Sequence, residues 1–210
     1  MKWNDEYWPL LIWHYKQKPE GVKAVYSKGL IDIALHLHIH PSELYRKMAE
    51  LRKLDTPFLK QLWDEYENPR KLNKAVKTLL KREGYGTAGK YYDEIETNES
   101  WELNFRPTDT REDIMPVQLI IILDQYFRLT PTTMVTQTEE IKELARLLKL
   151  PAVLITQIME IYQYCDPYLK RDDITENQLL EPCQKVWKKY GNEDTEKLAA
   201  FASQLKEFFR

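Results

Sequence analysis

Apolar residues recur at helical spacing along most of the chain, and Pro, Asn and Gly punctuate them at short intervals. Leu30, Ile33, Ala34 and Leu37 share one face of a helix over Leu30–His38, and Leu44, Met48 and Leu51 share one face of the next. His40-Pro41-Ser42-Glu43 starts that second helix, because Pro fits the first turn, where its missing N–H costs nothing, and an acid follows. Ser42, Arg46, Lys47, Glu50 and Lys53 then face out. Upstream, residues 7–17 (YWPLLIWHYKQ) predict a first helix with Pro9 in its first turn. Downstream, Pro57 ends the unit, Phe58–Tyr66 is a further short helix, and Asn68-Pro69 caps another over Arg70–Arg82, with Gly84 as its stop.

Residues 85–115 interrupt this pattern with scattered Gly, Thr, Asn and Pro. They are expected to form a partly ordered connecting arm that buries Tyr91, Tyr92, Trp101, Leu103 and Phe105. The alternation in Trp101-Glu102-Leu103-Asn104-Phe105 predicts a short extended segment packed across both halves.

The helical pattern then restarts. Val117–Arg128 matches the first helix, Thr136 with Glu139 has capping-box spacing for the second, and Pro151–Tyr164 is the third. Leu180–Arg210 echoes residues 59–82, with Trp187 and Tyr190 in the places of Trp63 and Tyr66. In each half an Ala (Ala34, Ala145) is followed six or seven residues later by a Pro, then by a helix and an Asp-containing Pro turn. The predicted fold is all-α: two tandem helix-turn-helix-type repeats, residues 1–84 and 116–210, joined by the arm.

At this point a family resemblance emerges. ILDQYFRL and IKELARLLKLPAVLITQIMEIYQYCDP, with Leu62-Trp63-Asp64-Glu65-Tyr66, resemble the helical module N-terminal to the nuclease domain in HNH-type restriction endonuclease-like proteins. The chain lacks the paired His, Asn and zinc-binding Cys pairs of the nuclease itself. The resemblance therefore implies the accessory module twice over, without the catalytic part. Contact with DNA, or with other parts of an assembly, is what the resemblance implies for its role.

Composition narrows the classes. No apolar run approaches the roughly 20 residues needed to span a bilayer, no signal-peptide layout precedes the first helix, and two cysteines are too few for a disulfide framework. A cytoplasmic protein with no membrane contact is expected. Net charge is −2, but residues 1–90 hold 17 Lys and Arg against 11 Asp and Glu, and the remainder 14 against 22. No nucleophile–base pair, Gly-rich phosphate loop or other catalytic signature is present, so no catalytic residue, cofactor or metal is assigned. His36 and His40 have the i, i+4 spacing of metal ligands, yet no carboxylate or Cys joins them at helpful spacing, and solvent-facing His at a helix C-terminus is the simpler reading.

The remaining chemistry is basic. Ser42, Arg46, Lys47 and Lys53 lie on the helix that would enter a major groove, and Arg70, Lys74, Lys77 and Lys81 form one stripe suited to a phosphate backbone. In the second half, Thr156, Gln157 and Gln163 take the places of Arg46, Lys47 and Lys53, with Glu160 between them. The expected function is non-catalytic DNA binding, with a regulator among the options, through the first repeat. The alternative is a protein–protein interaction module, in which the acidic second repeat meets a partner or another copy's basic half.

Overall fold

The helical periodicity is realised throughout the computed structural model, which describes residues 3–82, 101–169, 171 and 177–210. Among these residues there are ten α-helices and no strand. The chain divides into two compact units, Met1–Ser100 and Trp101–Arg210.

In unit 1, α1 (Trp8–Lys16) is the element on which both α3 (Pro41–Lys53) and α5 (Pro69–Arg82) pack, while α2 (Lys28–Leu37) packs on α3. Trp8, Leu10, Leu11 and Ile12 of α1 are buried, as are Leu30, Ile33, Ala34 and Leu37 of α2 and Leu44, Met48 and Leu51 of α3. Short polar caps set the boundaries. Thr56 Oγ1 accepts the Leu59 N–H at 3.2 Å to begin α4 (Pro57–Glu65), and Asn68 Oδ1 accepts the Arg70 N–H at 2.9 Å to begin α5. α4 is held to α1 by Trp63, whose ring meets Tyr15 edge-on at 5.6 Å and lies beneath Lys16 Nζ at 4.6 Å. Gly84 and residues 85–100 of the expected arm, Tyr91 and Tyr92 included, lie outside the described residues.

Unit 2 is built around α6 (Pro116–Arg128), in which every residue from Val117 to Asp124 is buried. A helix that is apolar on all sides belongs at a centre, and α8 (Ala152–Cys165), α9 (Leu180–Val186) and α10 (Thr195–Leu205) all pack on it. Both ends of its buried amide are bonded: Gln118 Oε1 accepts the Met115 N–H at 2.8 Å, and Nε2 donates to the Leu148 carbonyl at 3.2 Å, at the end of α7 (Glu139–Leu148). Tyr162 likewise donates its hydroxyl to the Leu119 carbonyl at 2.9 Å.

Two local expectations are corrected here. Trp101–Phe105 is a 3-10 turn, not an extended segment. Glu102 and Arg106 pair at 3.2 Å across a helical i, i+4 spacing, and Phe105 is buried against Phe208 at 5.2 Å while Leu103 stays exposed. Five alternating residues carry too little periodicity to outweigh that local pairing. Second, α7 is capped by Thr138, not Thr136, and the Thr138 hydroxyl donates back to the Thr133 carbonyl at 2.5 Å.

The turns between the second and third helices of the two units share their geometry. His38 ends α2 in the left-handed region at φ 52°, and Lys149 ends α7 there at φ 55°. In each, two N–H groups converge on the carbonyl of the mid-helix Ala: His38 and Ile39 on Ala34, Lys149 and Leu150 on Ala145. His40 and Pro151 are then the N-caps of α3 and α8. In that register Leu44, Met48 and Leu51 match Ile155, Met159 and Tyr162, and all six are buried. The sequence alignment of Pro41 with Pro151 is therefore one residue out of step. The residues matching Arg46, Lys47 and Lys53 are Gln157, Ile158 and Tyr164. The same register matches Tyr15 with Tyr126, and Tyr126 meets Trp187 at 5.8 Å as Tyr15 meets Trp63.

Candidate nucleic-acid interface

Drawn at the unit boundary, the charge contrast shrinks to 17 bases against 15 acids in unit 1 and 14 against 18 in unit 2, because residues 91–100 add four acids. The basic excess of unit 1 belongs to residues 3–82, with 15 against 10. Within them it is concentrated on α3 and α5.

α5 is sharply two-faced. Leu72, Val76 and Leu79 are buried, and Arg70, Lys74, Lys77 and Lys81 are exposed in one row on the opposite side. None of the four makes an ion pair with any described residue; their neighbour Lys71 pairs with Glu65 at 3.0 Å. Four uncompensated cations in a row repel one another, a cost that a polyanion would relieve.

α3 divides the predicted set. Ser42, Arg46 and Lys53 are exposed as expected, although Arg46 lies 3.6 Å from Glu43. Lys47 does not face out. Its side chain is 20% exposed, its ammonium is 2.8 Å from Glu50, and it sits 5.6 and 5.7 Å from the rings of Trp3 and Trp8. Asp5 Oδ1 fixes those two indoles by accepting both ring N–H groups at 3.1 Å. Lys47 thus ties α3 to the start of α1 and to the segment before it.

Three residues missed in the sequence complete the open face of α3. Tyr45 and Arg52 are exposed, with the small Ala49 between them, and no described residue bonds to the Tyr45 hydroxyl or pairs with the Arg52 guanidinium. Together with Val22, Lys23 and Ala24 they line a cleft of about 250 Å³. Tyr45, Ala49 and Arg52 follow at i, i+4 and i+7, a signal present in the sequence; Lys23 comes from an irregular loop and gave none.

His38 and His40 serve the turn. His38 is the left-handed C-cap, and His40 Nδ1 accepts the Ser42 N–H at 3.2 Å as the N-cap of α3, so His40 marks a helix start and not a C-terminus. Among the described residues, no group of three or more His, Cys, Asp or Glu is placed to hold a metal ion. No helix among them is long and apolar enough to cross a membrane. Cys165 is half-buried and Cys183 buried, and desolvation pushes their thiols up to about 11 and about 12, away from nucleophilic use near neutrality.

The chain matches no protein-family model, no curated protein and no solved structure.

Proposed function

We propose that the chain is a non-catalytic DNA-binding protein that contacts the duplex through unit 1. The observation that carries this reading is the row of Arg70, Lys74, Lys77 and Lys81, exposed on a helix whose other face is anchored in the core and left without an acid among the described residues. The open face of α3, with Ser42, Tyr45, Arg46, Arg52 and Lys53, supplies a second contact of suitable chemistry. The two units arose by duplication of one helical module. Their matched turns and the paired Tyr–Trp contacts support this, and unit 2 kept the fold while losing the basic face.

The test is binding to a fluorescent duplex at several salt concentrations. Four phosphate contacts give a log K against log salt slope of about −3.6. Lys74→Glu/Lys77→Glu, folded by circular dichroism, should lower that slope by about 2 and weaken binding at least tenfold. An unchanged slope in the double variant would refute the reading.

A second reading has its own observation. Unit 2 exposes Tyr168 (92%) and Val153 (57%), with Leu169 and Val135 also partly open, on an acid-rich body. Binding of a protein partner, or of another copy, by unit 2 would cover them.

A further inference from the structure

We infer that the cleft beside α3 binds a phosphoryl group, held between Lys23 and Arg52 with the Tyr45 hydroxyl as a further donor. This deepens the DNA reading and rests on it: the group is a backbone phosphate, and the cleft gives it a fixed place on the helix that faces the groove.

The first argument is the lining itself. Val22, Lys23, Ala24, Tyr45, Ala49 and Arg52 include two cations, one phenol and no acid. Arg52 and Tyr45 are unpartnered among the described residues. The Lys23 ammonium is held by the carbonyls of Gln17 and Pro19, which orient it without neutralising it. Glu20 draws on Lys23 electrostatically, but burial outweighs it and holds the ammonium below its ordinary value. A lining that carries a lysine and an unpaired guanidinium over the small Ala49 side chain, with no acid, suits a tetrahedral dianion or diester.

The second argument is the same place in unit 2. In the register set by the His38 and Lys149 turns, Lys23, Tyr45, Ala49 and Arg52 match Met134, Thr156, Glu160 and Gln163. There the equivalent positions are satisfied from within. Gln163 Nε2 reaches Met134 Sδ at 3.2 Å, its Oε1 accepts from Arg171 at 2.7 Å, and the Thr156 hydroxyl donates to the Val153 carbonyl at 2.8 Å. Unit 2 closes the site with a side-chain contact and sets an acid where unit 1 has Ala49. Unit 1 instead lines an open cleft with Lys23 and Arg52 and no acid, an arrangement that an anion completes.

The substitutions Arg52→Gln and Ala49→Glu write the unit 2 residues into the cleft, at one exposed and one half-buried position. Duplex binding is measured across salt for both, with Lys60→Gln on α4 as a control for the lost charge. Each cleft variant should lose about one unit of slope and several-fold in affinity, and the control neither. If both cleft variants match Lys60→Gln while Lys74→Glu/Lys77→Glu abolishes binding, the DNA reading stands and the cleft assignment falls. If the wild type binds no duplex, titration with adenosine 5′-monophosphate and inorganic phosphate decides by amide chemical shifts. Shifts at Val22–Ala24, Ala49 and Arg52 that vanish in Arg52→Gln keep a phosphate site for a free ligand; silence there overturns it.

Discussion

Tyr15 meets Trp63 edge-on, with ring centroids 5.6 Å apart and planes at 89°. This contact fastens α4 to α1, and Lys16 on the next position covers the same indole at 4.6 Å. Unit 2 repeats the joint with more hydrocarbon: Trp187 meets Tyr126, Phe127 and Tyr162 within 6.1 Å and is 8% exposed. Trp187→Ala should therefore cost about 4 kcal/mol and Trp63→Ala about 2, since a half-buried ring leaves a smaller cavity. Denaturant unfolding followed by circular dichroism measures both. A larger loss for Trp63→Ala would contradict the comparison.

His14 gives the stability a pH dependence. It is buried on α1, with its Nε2 unbonded among the described residues, and its ring occupies the space a Cβ on Gly29 would need, 2.5 Å from Cε1. Burial first, and the Lys23 charge second, lower its pKa from 6.5 to about 4. Between those values the unfolded chain takes up a proton that the folded chain refuses. Stability is thus intact above about pH 6.5, falls as pH drops towards 4 and levels off below it. The loss is about 2–3 kcal/mol, and His14→Gln should remove it from the difference between pH 7 and pH 4.5. Gly29→Ala, a change that ordinarily favours a helix, should destabilise at any pH because the imidazole has to move.

The turns carry a backbone demand that no contact reports. Lys149 is exposed and holds φ 55°, a region costly for a residue with a Cβ and worst for a β-branched one. Lys149→Val should destabilise by about 1–2 kcal/mol, whereas Lys149→Gly should be neutral or stabilising by a few tenths. Equal effects in thermal melts would show that the side chain, not the backbone, matters here.

How far the sequence could be read depends on what each signal measures. Burial of Leu44, Met48 and Leu51 was legible because helical periodicity and core packing are the same constraint. The register between the halves was misread because Pro looked like a fixed marker. Pro41 is the first residue of its helix, while Pro151 is a cap one step earlier, so the two prolines do not hold the same place relative to the left-handed residues His38 and Lys149. The α5 row was visible because a helix sorts its own charges. The fate of the α3 cations was not, because it depends on Glu43, Glu50 and two indoles whose placement is tertiary.

Lys47 separates the two kinds of basic residue most directly. By spacing it belongs with Arg46 and Lys53 as a DNA contact; in the folded chain its ammonium is engaged by Glu50, Trp3 and Trp8 and is largely covered. Its removal should then act on folding and not on binding. Lys47→Ala loses one partly buried ion pair and two cation–π contacts, together about 1–2 kcal/mol, with Glu50 left half-buried and unneutralised. Lys74→Ala, on an exposed face with no partner among the described residues, should leave stability unchanged within about 0.5 kcal/mol and reduce the salt slope of duplex binding by about one. Unfolding curves and binding isotherms on the same two variants check this. If Lys47→Ala weakens binding as much as Lys74→Ala while unfolding as wild type does, Lys47 reaches the phosphates after all, and the latch formed by Trp3 and Trp8 must open when DNA binds.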